Sequence, residues 1–272
     1  VRSTRVPKEV LEAGPDLGLV IRAGSGYNTI DIEAAANRGV AVANCPGKNS
    51  EAVAELAMGL ILAIDRRIPH NVMELRKGIW NKKEFSKARG LKGRTLGIVG
   101  LGQIGRLVAR RALAFEMKVV YSDIVRNEQM EQEHGIRYVP LDDLVKEADY
   151  VTLHVPLTGE TEHIINAARL DMMKPTAAVI NTSRGDVVDT KALAAALKQG
   201  KIAWAALDVY EDEPGANDKV FGLPLAEVDN LYGTHHIGAS TEQAQLAVGE
   251  EAVRIAKAFK ETGEVLNWVN KR

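Results

Sequence analysis

The apolar positions of this chain fall into short runs separated by longer amphipathic stretches. Thr95 to Val99 is short, apolar and β-branched and reads as a buried strand. Arg106 to Phe115 has helical composition and no breaker, and Met117–Ser122 is the next apolar strand. The alternation then continues. Strands are expected at Ile136–Val139, Tyr150–Val155, Ala177–Asn181, Ala203–Val209 and Asn230–Gly233, and helices at Leu141–Ala148, Ala167–Met173 and Thr190–Gln199. Near-continuous apolar strands joined through helices predict a parallel sheet covered on both faces, in a doubly wound α/β fold with right-handed crossovers.

The two ends add a second, smaller set of elements. Pro7–Ala13 reads as a short helix with Pro near its first turn, and Leu17–Arg22 as a strand. Asp31–Gly39 reads as a helix with an Asp cap and a terminal Gly, and Val40–Ala43 as another strand. These βα units imply a parallel sheet of their own with few strands. Together with a first residue that is Val1 and not Met, this gives the expectation that N-terminal sequence is missing. Ser50–Arg67 is a long helix, apolar nearly all round in its middle, as a domain core or a subunit interface requires. Pro69 marks its end region, and the more polar stretch Ile68–Arg89 carries Trp80 between charges. Ala239–Glu264 is a last long helix, capped at Ser240 or Thr241 and stopped near Gly263.

Composition narrows the function classes. The chain has 272 residues, 46% hydrophobic and 26% charged, ordinary for a globular protein with room for one large or two ordinary domains. A formal net charge of −1 argues against a nucleic acid or a membrane surface as the main partner. The longest uncharged apolar run, Leu56–Ile64, is too short to span a bilayer. Cys45 is the only cysteine, which excludes an intrachain disulfide and fits a reducing, cytoplasmic setting. The six His residues form no metal motif.

The chemistry concentrates at strand ends. Gly100, Gly102 and Gly105 form G-x-G-x-x-G between a strand and a helix, the context a dinucleotide fingerprint needs. The first Gly allows the tight turn, the second lets backbone approach a pyrophosphate, and the third lets helix pack on strand. The helix N-terminus adds free N–H groups and a positive dipole end. Asp123, at the end of the next strand, stands where a ribose-binding acid is expected, favouring NAD over NADP. Arg126, three residues on, is the type of residue that accommodates a 2′-phosphate. Beyond later strands come Asn181-Thr182-Ser183-Arg184-Gly185-Asp186, then Asp208 with Glu211-Asp212-Glu213, then Thr234-His235-His236-Ile237-Gly238. Singly, Arg184, Glu213 and His236 read equally well as structural or surface residues. Together they suit hydride transfer: Arg offers a planar fork to a carboxylate, His exchanges a proton near neutral pH, and an adjacent acid orients the ring.

GLGQIG, HVPLT (154–158), NTSRGDVVD (181–189), ALDVYEDEP (206–214) and HIGAST (236–241) resemble the signature blocks of the D-isomer-specific 2-hydroxyacid dehydrogenases. The front blocks VRS, RAGSGYNTID and NxPxxNS resemble most closely the 3-phosphoglycerate-oxidising members of that family. The resemblance implies catalysis by Arg184, Glu213 and His236, with Arg184 on the substrate carboxylate and Glu213 on His236. It implies NAD contacts from Gly100, Gly102, Gln103, Ile104, Gly105, Asp123, His154, Val155, Pro156, Thr161, Thr182, Ser183, Asp208 and Gly238, with Asp208 on the nicotinamide amide. It implies substrate contacts from Arg2, Ser3, Arg22, Gly24 and Asn49 as well as Arg184 and His236. It further implies a Rossmann-type NAD domain, 50–238, inserted in a smaller flavodoxin-like α/β substrate domain, 1–49 and 239–272. A homodimer through the nucleotide domain is implied, and no C-terminal regulatory domain is expected after Arg272. The implied substrate is 3-phosphoglycerate, as in serine biosynthesis. The alternatives are a glyoxylate or hydroxypyruvate reductase and, from another class, a dinucleotide-responsive corepressor-like binding protein. His235 stands where the family usually has Pro, and the spacing from Glu213 selects His236 of the two.

Overall fold

The computed structural model describes the chain apart from Ser3, residues 215–219, 223, 224 and 226, and Arg272. The substrate contact expected of Ser3 therefore lies outside the described residues. Two units form: Val1–Ala52 with Ala239–Arg272, and Val53–Pro214 with Lys219–Gly238.

In the first unit, α1 (Lys8–Glu12), β1 (Leu19–Arg22), α2 (Ile32–Asn37) and β2 (Ala41–Asn44) follow one another. The strands pair in parallel from Leu19↔Ala41 to Arg22↔Asn44. Asp31 caps α2 by accepting the Ala34 N–H at 2.9 Å, which satisfies one of the donors a helix start leaves open. Val6, Leu11, Val20, Ile30, Ala35 and Val42 form a small core.

Helix α3 (Ser50–Arg66), all but its first three residues in the second unit, is followed by α4 (Ile68–Arg76) and α5 (Lys82–Phe85). The second unit continues through β3 (Thr95–Val99), α6 (Gln103–Ala114), β4 (Lys118–Ser122), α7 (Glu128–His134) and β5 (Arg137–Tyr138). Then come α8 (Leu141–Glu147), β6 (Tyr150–Leu153), α9 (Ala167–Met172), β7 (Ala178–Asn181), α10 (Thr190–Lys198), β8 (Trp204–Leu207) and β9 (Leu231–Gly233). The seven strands lie in the order β5-β4-β3-β6-β7-β8-β9, every pair parallel. This is the doubly wound α/β arrangement. Alternate residues of each strand feed two cores: Leu96, Ile98, Tyr121 and Ile180 on one side, Val99, Val151, Leu153 and Val179 on the other. The order reverses between β3 and β6, and ligands in such sheets bind beyond the carboxyl ends of the strands at that switch. The chain closes with α11 (Glu242–Thr262), capped by Thr241, whose side chain accepts the Ala244 N–H, and ended by Gly263 at φ 73°. Among the described residues no helix is long and apolar enough to cross a membrane.

Two elements differ from the sequence expectation. Pro69 opens a helix as well as following one. The chain turns at Arg67, held at φ 50°, and Pro69 sits in the first turn of α4, where its missing N–H costs nothing. Helix α7 has no apolar stripe to announce it, since Met130 is its one buried residue. Asn127 caps it through the Met130 N–H.

Candidate active site

The turn from β3 into α6 is shaped by its glycines. Gly100 has φ 94°, and a Cβ there would lie 2.7 Å from the His154 carbonyl oxygen and 2.8 Å from a Val155 methyl. A Cβ on Gly105 would fall on the Gly100 carbonyl, so α6 approaches β3 as only glycine allows. Gly102 is different. Its Cβ would meet nothing within 4 Å, and no side chain caps the helix it starts. Gln103 and Ile104 form the first turn beyond it, Ile104 packed against the core.

Two buried polar atoms on the neighbouring strand ends, His154 Nδ1 and Thr182 Oγ1, have no hydrogen-bond partner among the described residues. Unpaired buried groups of this kind call for a ligand or water. Open space at Gly102 and these orphaned atoms fit a bound dinucleotide. His154 Nε2 lies 3.0 Å from Thr152 Oγ1, and burial pushes the imidazole down to about 3, so it is neutral. Ser183 donates its N–H and its hydroxyl to Asn181 Oδ1, and Thr161 donates its hydroxyl to the Pro156 carbonyl at 2.6 Å, fixing the two loops. Asp123, at the end of β4, accepts the Leu101 N–H at 2.6 Å, which ties it to the fingerprint turn.

Arg184, Glu213 and His236 lie beyond β7, β8 and β9. The Nη1 of Arg184 donates to the Ser183 carbonyl at 2.6 Å, and its own carbonyl accepts from Asn181 Nδ2. Burial lowers the guanidinium's proton affinity and the charge of Glu213 opposes that. A Cβ on Gly185 would fall on the Tyr210 carbonyl, so the Arg184 loop packs directly on the loop that carries Glu213. Glu213 accepts the Tyr210 N–H at 3.0 Å through Oε1, and its Oε2 lies 2.7 Å from His236 Nδ1. Burial alone would push the Glu213 carboxyl up, but the His236 hydrogen bond, the Tyr210 N–H and Arg184 together hold it below its ordinary value. His236 has φ 53°, a left-handed conformation uncommon for any residue but glycine. Both neighbouring histidines are exposed, and it is His236, not His235, that meets Glu213.

Asp208, 1% exposed, accepts the Thr234 hydroxyl at 2.6 Å and the Ile237 and Gly238 N–H groups at 2.8 Å each. The loop that presents His236 is thus bound to a buried carboxylate. Thr234 and Tyr210 lie in stretches that the sequence marks, but their bracing of this loop is not legible there. Nor is the contact between His163 and Glu211, whose Nε2 and Oε1 lie 2.6 Å apart. In the first unit, Ser25 donates to Asn49 Oδ1 at 2.7 Å, Arg22 donates to the Ala23 carbonyl, and Gly24 has φ 148°, where a Cβ would strike the Arg22 guanidinium. Arg2 is exposed.

A parallel sheet in this order, with a glycine turn at its switch point and Arg, Glu and His beyond three later strands, defines a dinucleotide-dependent dehydrogenase domain. Residues 58–238 match the family model described as D-isomer specific 2-hydroxyacid dehydrogenase, NAD binding domain. The chain belongs to the D-isomer-specific 2-hydroxyacid dehydrogenases, and this part of it is their NAD-binding domain. It is 44% identical to a glyoxylate reductase of Thermococcus litoralis over 98% of this chain and 81% of that one. It is 45% identical to a D-3-phosphoglycerate dehydrogenase of Methanocaldococcus jannaschii over 92% of this chain, but spans only 47% of that protein. Among solved structures, the D-lactate dehydrogenase of Aquifex aeolicus complexed with NAD and lactic acid is similar at TM-score 0.88 and 35% identity, covering 100% of this chain and 86% of that one.

Proposed function

We propose that this protein interconverts D-2-hydroxy acids and 2-oxo acids with NAD in preference to NADP, and that it acts best on short unphosphorylated 2-oxo acids of the glyoxylate and hydroxypyruvate type. The observation that carries the chemistry is the 2.7 Å contact between Glu213 and His236 in the same unit as the half-buried Arg184. Bound NAD, held by Gly100, Gly102, Gln103, Ile104, Gly105, Asp123, His154, Val155, Pro156, Thr161, Thr182, Ser183, Asp208 and Gly238, supplies the hydride acceptor or donor. With Nδ1 engaged by Glu213, His236 has Nε2 to exchange a proton with the substrate's C2 oxygen. Arg184 meets the substrate carboxylate as a planar fork and fixes its orientation.

The choice of substrate rests on two supports. Relatives at 42–44% identity over at least 97% of this chain include glyoxylate reductases and a hydroxypyruvate reductase. A substrate phosphate needs cationic partners, and of the front-block candidates Arg2, Arg22 and Lys48 the last lies 3.5 Å from the buried Glu251 carboxylate. The second reading, oxidation of 3-phosphoglycerate, is favoured by the 45% identity to a protein of that name. NADH oxidation with glyoxylate, hydroxypyruvate and 3-phosphohydroxypyruvate separates the two. The proposal expects higher kcat/KM for the unphosphorylated acids, and a preference for the phosphorylated one transfers the assignment. Absence of turnover with all of them would favour a binding protein instead.

We also propose a homodimer through the second unit. Its support is a run of exposed apolar side chains on α4 and the following turn, namely Ile68, Val72, Met73, Leu75, Ile79 and Trp80, the last 79% exposed. Light scattering on the eluted protein tests it.

A further inference from the structure

Arg126 is the one Lys or Arg between Lys118 and Arg137, and it lies three residues past Asp123, on the loop that follows β4. Left to itself, an arginine there is suited to a 2′-phosphate, because its guanidinium can meet phosphate oxygens with two parallel N–H groups. In this structure one such pair of donors, on Nε and Nη2, is already engaged, with the side chain 57% exposed. Arg126 Nε donates to Glu131 Oε1 at 2.8 Å and Nη2 donates to Glu131 Oε2 at 2.7 Å. Glu131 is in turn fixed. It lies on α7, its side chain only 14% exposed, and it accepts the hydroxyl of the fully buried Tyr121 at 2.7 Å. Tyr121 OH also accepts the Asn127 N–H at 2.7 Å, which ties the latch to the start of α7. The Arg126 guanidinium rests 6.0 Å from the centre of the Tyr138 ring.

We propose that Glu131 is a specificity-determining residue that sequesters Arg126 and so withholds from the ribose end of the cofactor the cation that would welcome a 2′-phosphate. Asp123 repels that phosphate and the Glu131 latch removes its compensating charge. The proposal rests on the NAD reading above and deepens it. Two features of the geometry support it. The pairing is two-pronged, so it holds the guanidinium in orientation as well as position. Its acceptor is braced by a buried tyrosine on β4 itself, the strand that Asp123 directly follows, so the latch and the ribose acid are set by one element.

The test is direct binding, read by fluorescence titration of NADH and NADPH to the intact chain without substrate. Glu131→Gln keeps an acceptor for the Tyr121 hydroxyl but loses the charge that holds Arg126. It should tighten NADPH relative to NADH by about fivefold, the worth of one exposed charge pair, and that gain should shrink with added salt. Arg126→Ala in the Glu131→Gln background should remove the gain, whereas Arg126→Ala alone should leave the NADPH-to-NADH ratio as in the parent. A thermal melt of each variant checks folding, and Glu131→Ala serves if Gln retains the pairing. An unchanged ratio in both Glu131 variants overturns the latch while leaving the NAD reading in place. So does loss of NADPH binding in Arg126→Ala alone, which would mean that Arg126 already reaches the cofactor. A parent protein that binds neither dinucleotide, or prefers NADPH, overturns the reading and the latch together.

Discussion

The carboxylate of Asp208 accepts the backbone N–H of Gly238 at 2.8 Å, and through it the loop after β9 is bound to the end of β8. Two more donors from the same loop, Thr234 and Ile237, converge on the other oxygen. Between them sits His236, in a left-handed conformation that this loop must hold. An asparagine at 208 replaces one acceptor oxygen by an N–H donor, which would face the N–H of Gly238 or of Ile237. A buried donor facing a donor costs about 1–3 kcal/mol. Asp208→Asn is therefore expected to lower kcat at least tenfold and to weaken NADH binding far less. A loss confined to NADH affinity would instead mark Asp208 as a cofactor contact alone.

His236→Ala and His235→Ala should separate cleanly. The first removes the group paired with Glu213, and its turnover should fall by roughly 10²–10⁴-fold, the usual worth of general acid–base catalysis. Its Kd for NADH should stay within about twofold, since a lost rim contact is worth less than ~0.5 kcal/mol. The second removes an exposed side chain and should leave kcat close to the parent. Steady-state kinetics with one 2-oxo acid compares them, and a larger loss in His235→Ala would exchange their roles.

What could be read from the chain, and what could not, follows from how each feature is encoded. The apolar runs of β3, β6 and β7 announce themselves because both faces of those strands are buried. Asp31 is legible as a cap, and the last helix's cap to within Ser240 or Thr241, because a side-chain acceptor just ahead of a helical run has few other uses. The positions of Arg184, Glu213 and His236 beyond strand ends followed from the same pattern. Helix α7 was hidden because it buries one side chain. Helix α4 was hidden because a proline reads equally as a stop or as a first turn. The bracing by Asp208 was out of reach for another reason. Its partners include backbone N–H groups, and every residue but proline has one, so the pairing leaves no mark in the sequence. Glu131 and Arg126 sit five residues apart across a turn, outside the helical spacing by which ion pairs are recognised.

Gly105 tests the fingerprint independently of catalysis. A methyl there would collide with the Gly100 carbonyl and would lie 3.2 Å from Ile98 Cγ2, so α6 must tilt away from β3. Overpacking of this kind typically costs 1–3 kcal/mol, and the displaced turn no longer presents its N–H groups to a pyrophosphate. Gly105→Ala should bind NADH at least tenfold more weakly with a lowered Tm. Gly102→Ala, whose Cβ meets no protein atom within 4 Å, should melt like the parent yet also bind NADH poorly. Equal NADH binding by Gly102→Ala and the parent would show that the open space there is not the pyrophosphate site.

The last prediction concerns pH. Beside the Glu213 loop, His163 pairs with Glu211, and that hydrogen bond raises the imidazole above its ordinary value of 6.5, with Asp189 and Glu162 adding to the effect. Glu211 also accepts the Thr190 N–H, so the pair joins the turn after β6 to the start of α10. A group whose folded value is raised contributes stability that is fully present below its unfolded value and is lost as pH rises through the folded one. The His163 contribution should thus be intact below about pH 6.5 and disappear on the alkaline side. Glu213 runs the other way. Its carboxyl is held below the ordinary 4.5, so its contribution is present above that value and is lost as pH falls through the folded one. Both side chains are partly exposed, His163 at 42% and Glu211 at 24%, so the pair is worth less than about 1 kcal/mol, roughly 2–4 °C in Tm. Melting curves between pH 5.5 and 8.5, about one unit below and two above the ordinary imidazole value, should show the parent losing that margin as pH rises while His163→Gln stays flat. Since the pair abuts the segment carrying Glu213, kcat of His163→Gln should fall modestly at low pH and converge on the parent at high pH. Parallel pH curves for the two proteins would show that His163 stays neutral and that the contact with Glu211 carries no charge.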